Sequence, residues 1–552
     1  MMRPLERTMR SALFLAFVAT STSACTGEIL GGSGGGDDGG GNGPGDVIVD
    51  TPEGKVGGRD LRRLTIREYD NTIRDVFGLG ADWKGSGLSP DQSSELGFDN
   101  DRTLLVVDNA RAQDFETAAE AIADAVLAKG VAQVSGCATP GRACTAGLLD
   151  AYGPRLFHHA LTDADRKRYL DAFDQMTTLG APAADAQKWT LVAMLDSPQF
   201  LYRSEMGAPS DKDGIYKLTG EELATALAYD FSASPPSDAL LGLGKSGGLA
   251  TADARIAEAR KLLDTPRGHE VVDDFLARWT RYREVETLAK DASVSVDFSQ
   301  VRADMSEETH RFLDDVFFTR KGSVADLFTS NTTFVTAALA QHYGLQPPAQ
   351  PFGAVTRPPE QALGILSQGS ILSRFALTNS TSPPQRGAFI RRRFMCQSLP
   401  PPPPNVGMPP TPTPGVTTRE RYTQVTSPAA CTGCHQLTND IGFALENFDS
   451  AGVWRTLDAG KPIDPSGTIR SFGTAGDVTF TDGVGLAQAL AHSPDVAGCV
   501  GSRMAAYTFG MAEGAVLAAP AQTKALVAGQ VSLYDFYAQL AGAAHFDTRV
   551  GP

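Results

Sequence analysis

Cys431-Thr432-Gly433-Cys434-His435 sets two thiols three residues apart and an imidazole directly after the second. On a helix this spacing brings both sulfurs and the ring to one side, within reach of a single planar group. In an oxidising compartment such thiols add to the two vinyl groups of one porphyrin, and the histidine ligates the iron, which is the pattern of covalent haem c attachment. Two other chemistries use paired thiols at this spacing, a redox disulfide and half of a zinc site. The first normally opens a helix inside a βαβ unit, and no alternation of strand and helix surrounds residue 431. The second needs two more ligands, and the chain has no second Cys-x-x-Cys and no His-x3-His pair. The expectation is haem c on Cys431 and Cys434 with His435 as an iron ligand, and a disulfide as the alternative.

Haem attachment of this kind takes place outside the cytoplasm, and the N-terminus reads as an export signal over residues 1–24. Arg3, Arg7 and Arg10 precede the apolar run Ala12 to Ala19, which is far shorter than the roughly 20 residues that span a bilayer. Thr22-Ser23-Ala24-Cys25 resembles a lipoprotein cleavage box, with Thr22 in place of the usual leucine, so Cys25 is the expected lipidation site; plain secretion or an uncleaved signal is the alternative. Residues 25–57 then form a tether rich in Gly, Ser, Asp and Asn that has little apolar surface to bury. Of the seven cysteines, Cys25 takes lipid and Cys431 and Cys434 take haem. Cys137 and Cys144 flank the Pro140-Gly141 turn and suit a short loop. By elimination Cys396 and Cys499 pair over a long range, or else stay separate buried thiols. The net charge of −15 argues against a nucleic-acid partner. No later segment is apolar enough to span a membrane, so the membrane contact expected is through the lipid anchor only.

The elements that position the motif are predominantly helical. Leu64-Thr65-x-x-Glu68, Leu161-Thr162-x-x-Asp165 and Leu218-Thr219-x-x-Glu222 each set a threonine cap before an acid three residues on. They predict helices over 65–78, 163–176 and 220–231. Periodicity predicts others over 184–196, 252–263, 268–280, 306–318, 359–374, 384–396, 482–493, 495–508 and 521–541. A helix also begins at 417–422, and the turn-rich stretches 449–452 and 458–466 suggest a short β excursion beside the motif. The fold class is mainly α, a multi-domain helical protein with a small c-type-cytochrome-like module. The division is an N-terminal helical module at 58–130, a second at 145–212 and a central one at 213–398. A polyproline strap at 399–416 follows, opening with Pro400 to Pro404, then the haem-binding module at 417–476 and a C-terminal helical module at 477–545.

Beyond the motif, Asp440-Ile441-Gly442-Phe443-Ala444-Leu445-Glu446-Asn447-Phe448-Asp449 and Gly452-x-Trp454-Arg455 resemble the cytochrome-like module of large exported proteins of planctomycetes and myxobacteria. The upstream context, Arg386-Gly387 through Cys396 and Leu399-Pro400-Pro401-Pro402, is similar too. Arg62-Arg63-Leu64-Thr65-x-x-Glu68-Tyr69, Phe157 to Leu161 with 184–204, and Cys499 to Gly510 resemble the family's other modules. The resemblance implies a covalent haem and an exported location, and supplies no reaction. The family usually carries proline after the aspartate of this motif, where the chain has Ile441, a departure expected to loosen a turn.

The second iron ligand and the surroundings of the propionates decide what such a haem does. Met504 and Met511 are candidate distal ligands, with Met408 and His492 behind them, and each methionine has core filler as its ordinary role. Arg386, Arg391, Arg392, Arg393 and Arg455 are candidate propionate partners, Arg455 first. Phe443, Leu445, Phe448 and Trp454 supply apolar surface for a haem wall or for an ordinary core. The function expected is electron transfer in the cell envelope, in the periplasm or on the outer membrane, with a redox partner protein or an extracellular electron acceptor. A haem-dependent oxidoreductase or peroxidase acting on an extracellular substrate is the alternative, since some three hundred residues exceed what a carrier domain of roughly 100 needs. A structural or binding surface lipoprotein is the third.

Overall fold

Fourteen of the helices matter here, and their order sets the layout of this computed structural model. It describes residues 49–51, 54–56, 61–80, 82–130, 134, 136–400, 409–511 and 520–550. The first group is α1 (Ile66–Phe77), α2 (Asn109–Leu127), α3 (Arg142–Leu156), α4 (Asp163–Thr178) and α5 (Ala183–Leu195). The second is α6 (Gly220–Ser232), α7 (Ala252–Leu263), α8 (Pro266–Thr280) and α9 (Phe298–Asp314). The third is α10 (Pro383–Phe394), α11 (Thr418–Thr426), α12 (Ala429–Phe443), α13 (Gly483–Ala491) and α14 (Pro494–Phe509). Strands are short and antiparallel, so the fold is mainly α, as its periodicity predicts.

The threonine caps act as expected. Thr65, Thr162 and Thr219 accept from the amide three residues on, while Glu68, Asp165 and Glu222 accept from the cap amides, each exchange worth about 1 kcal/mol. The first five helices close around one apolar core that includes Tyr69, Phe115, Tyr169 and Trp189. A second core runs from Leu96 to Phe546 and takes in residues of α6 to α10 and α12 to α14, so the motif-bearing segment shares its interior with the centre and the C-terminal part of the chain. Buried charges join these groups. Arg203 pairs with Asp230 at 2.7 Å and Arg62 pairs with the same carboxylate at 3.2 Å, while Arg62 also donates to the Thr508 carbonyl. Charges this deep are tolerated because each has an opposite partner.

Three expectations change. Residues 359–374 form two tight 3-10 turns and a short helix, Gly369–Arg374, because Gly364 turns the chain at φ +54 against the Leu327 carbonyl, where a Cβ would overlap it. The stretch 521–541 divides into Pro520–Val527 and Leu533–Gln539, broken where Gly529 takes φ +65 and Ser532 starts a new cap. The helix placed at 306–318 begins earlier, at Phe298, and ends in a wide turn over Asp315–Thr319. The β excursion is present as Leu457–Asp458 with Lys461–Pro462 and Gly467–Ile469 with Val478–Phe480. Cys137–Cys144 and Cys396–Cys499 are both bonded, which replaces the separate-thiol reading of the second pair. The expected export signal at 1–24, Cys25, nearly all of the expected tether and residues 401–408 of the expected strap, including Met408, lie outside the described residues. Among the described residues no helix is long and apolar enough to cross a membrane.

Candidate haem-attachment site

The motif occupies the first two turns of α12. Pro428 precedes the helix, and its carbonyl accepts from the amides of Cys431 at 2.8 Å and Thr432 at 3.1 Å. The Thr432 hydroxyl lies within hydrogen-bond distance of the carbonyls of Thr426, Ser427 and Pro428, so the turn is tied to the end of α11. Helical spacing then sets Cys431, Cys434 and His435 on the same stripe as Thr438, Ile441 and Gly442.

The far half of that stripe packs on α10 with the two helices antiparallel. A Cβ at Gly387 would overlap the Thr438 carbonyl, and one at Gly442 would overlap the Pro383 carbonyl, so both glycines exist to let the backbones meet. Toward its start the stripe emerges. Thr438 and Asn439 are buried at 6 % and 7 % exposure, whereas Cys431, Cys434 and His435 are half-buried. Among the described residues Cys431 and Cys434 are the free cysteines, unbonded to each other. Asp440-Ile441 lies inside the continuous helix, so the missing proline loosens no turn here; it leaves an amide in the helix ladder.

The imidazole is oriented by a chain of side chains. His435 Nδ1 lies 3.1 Å from Asn439 Oδ1, Asn439 Nδ2 donates to Thr426 Oγ1 at 3.1 Å, and Thr426 donates to the Tyr422 carbonyl at 2.7 Å. The direction of this chain follows from its last member. Thr426 has one hydroxyl proton and gives it to a carbonyl, so its oxygen is the acceptor toward Asn439. That sets the amide nitrogen of Asn439 on the Thr426 side and its oxygen toward His435. An acceptor at Nδ1 requires the proton there, and in the neutral ring Nε2 is left with the bare lone pair. A side-chain partner that holds the proton on the far ring nitrogen in this way is what metal-ligating histidines carry. Two free thiols on the same half-buried face, next to an Nε2 prepared for a metal, fit covalent haem.

The remaining candidates are placed elsewhere. Arg386 is buried and donates to the carbonyls of Leu445, Phe448, Leu372 and Asp449. Arg391 donates to the carbonyls of Leu437 and Arg470, and Arg393 to those of Leu96 and Glu95. Arg455, the first choice for a propionate, is bound to Glu446 at 2.9 Å and to Asp458 at 3.0 Å. These four act as internal ties, which leaves Arg392 as the exposed one. Glu446 is the acid that Arg386 and Arg455 face: burial raises its carboxyl above the ordinary range, against the pull of these two arginines and the hydrogen bond from Thr381. Phe443, Leu445 and Phe448 are buried core, with Trp454 edge-on to Phe448, and Phe443 stands two turns, about 12 Å, along α12 from His435. They form the ordinary core, not a wall beside the thiols. Met504 is fully buried on α14 and Met511 is 4 % exposed just beyond it, so either would leave a packed core to meet an iron. His492 is exposed and caps α13 through the Gln488 carbonyl. Asn439 and Thr426 were not among the residues expected; the one sequence signal for Asn439 is its place four residues after His435.

Four family models match the chain in succession, each described as a protein of unknown function. PSD3 (DUF1587) matches residues 62–128, PSD5 (DUF1595) 144–205, PSD4 (DUF1592) 218–345 and PSCyt3 (DUF1588) 362–458. The PSCyt3 match contains both the motif and α10. No curated protein and no solved structure matches the chain.

Proposed function

We propose that the chain is an exported c-type haem protein of the bacterial cell envelope, anchored by lipid on Cys25, that passes electrons through one covalent haem. The observation that carries this is the hydrogen-bond chain from Tyr422 through Thr426 and Asn439 to His435, which leaves Nε2 bare on the same helix face as two unbonded thiols. Four other cysteines are already bonded in pairs, which leaves these two available for thioethers. The name of the PSCyt3 model points to a cytochrome-like module and agrees with the reading.

When bound, the haem supplies an iron centre that exchanges one electron. Cys431 and Cys434 would hold it by thioether bonds, and His435 Nε2 would ligate its iron. Asn439 keeps the proton on Nδ1 and holds the ring plane, and the α10–α12 contact holds the helix that carries them. The half-buried start of α12 suits electron exchange with a redox partner protein or an extracellular electron acceptor, because a partner can approach there without opening the core. With a net charge of −15 the chain has no affinity to expect for nucleic acid.

An absorption spectrum of protein matured with the haem-attachment machinery tests the electron-transfer part. Low-spin, six-coordinate iron unresponsive to carbon monoxide supports a carrier. High-spin iron that binds carbon monoxide or peroxide moves the reading to a haem-dependent oxidoreductase.

A further inference from the structure

Where the end of α12 meets the start of α13, a cavity of about 190 Å³ opens between the tight turn at Glu360, the stretch from Ala444 to Trp454, and residues 482–484. Gly483 makes the junction possible: a Cβ there would come within 2.8 Å of the Ala444 carbonyl, so only glycine lets α13 start against the end of α12. The volume is below the roughly 300–1,000 Å³ of pockets for drug-sized ligands, which suits one compact chemical group.

The walls combine two kinds of surface. Phe448 and Trp454 stand at 75° to each other with ring centroids 5.0 Å apart, so the two rings make a corner, and Trp454 is only half-buried. The face of such a ring is electron-rich and attracts a cation placed over it. Glu360 and Asp482 line the same space as exposed carboxylates. One oxygen of Asp482 caps α13 by accepting from the Gly485 amide at 2.7 Å, so the helix end answers part of its charge. Among the described residues Glu360 has no ion-pair or side-chain hydrogen-bond partner, and Asp482 has no ion-pair partner.

No lysine, arginine or histidine lines this cavity, and Arg455, the neighbour of Trp454, is held by Glu446 and Asp458. An anion would therefore meet two carboxylates and no cation. A bare metal ion is a poor match as well: calcium takes roughly six to eight oxygens, and no group of three or more acids, histidines or cysteines among the described residues is placed to hold a metal. An organic ammonium ion uses both surfaces, the rings for its apolar skin and the carboxylates for its charge.

We propose that this cavity binds an organic ammonium ion, with its charged head against the Phe448–Trp454 corner and beside Glu360 and Asp482. The proposal does not depend on haem at α12. Isothermal titration of the full chain with choline, at constant ionic strength, tests it. Choline is expected to bind at one site per chain, about tenfold or more tighter than 3,3-dimethylbutanol, its neutral carbon isostere. Glu360→Gln with Asp482→Asn removes both charges and keeps both shapes. Asparagine caps a helix as well as aspartate, so the melting temperature should hold while choline binding weakens about tenfold or more. Trp454→Leu, which removes the half-buried ring, is expected to weaken it similarly. Glycerophosphocholine binding as tightly as choline identifies a lipid headgroup as the source of the ligand; preference for choline identifies a free ammonium compound. No choline binding by the wild type, equal binding of the neutral isostere, or choline binding unchanged by the double substitution overturns the proposal.

Discussion

The two ends of α12 are built for opposite purposes. From Thr438 to Phe443 the helix lies backbone to backbone on α10, with Gly387 and Gly442 at the points of closest approach and Arg391 and Arg386 reaching across to the carbonyls of Leu437 and Leu445, just beyond either end of that stretch. From Cys431 to His435 the same stripe carries two thiols and an imidazole, stays half-buried and is tied to the end of α11 through Thr432 and, by way of Asn439, through Thr426. The covalent attachment proposed for this helix uses both. The tight half fixes where the helix points, and the open half keeps the two thiols and the imidazole half-exposed.

That contrast breaks most clearly at the tight end. Gly442→Ala or Gly387→Ala forces a Cβ into a carbonyl of the partner helix, and we expect a loss of about 3 kcal/mol, or failure to fold, in denaturant unfolding. Between the two ends, Asn439→Ala removes the acceptor at Nδ1 and the partner of Thr426. The expected loss is about 1 kcal/mol, with His435 of the haem-free protein changing from one tautomer to a mixture in nitrogen NMR. A retained Nδ1–H tautomer in that variant contradicts the positioning role. At the open end, Cys431→Ala with Cys434→Ala is expected to change stability by less than about 0.5 kcal/mol, because both residues are only half-buried and neither sulfur is bonded. A large loss there would mean that the thiols are structural. Removing Arg455 sharpens the comparison from outside the helix: Arg455→Ala leaves buried Glu446 with one cation fewer, so stability should fall while haem attachment persists.

The sequence carried the local signals well and the distant ones poorly. Three threonine caps gave three helix starts, because the cap, the acid and the flanking apolar residue are all local. The motif itself was readable from five residues. What Arg386, Arg391 and Arg393 do was not, since their partners are carbonyls brought near by folding, and a basic run looks the same whether it faces water or ties a core. Asn439 went unnoticed for a related reason: an i+4 amide becomes an orienting group only once Thr426 fixes which way it points. Gly364 and Gly529 broke two expected helices because their left-handed turns are dictated by contacts and connections that periodicity does not report.

Peptide mass spectrometry shows whether α12 carries a covalent haem. Full-length protein made in cells with the haem-attachment machinery is denatured, digested and weighed peptide by peptide. One haem per chain is expected, on the peptide that contains Cys431, Cys434 and His435, and none on the Cys431→Ala, Cys434→Ala variant. Recovery of that peptide from the wild type as a free dithiol, or as an internal disulfide, would contradict it.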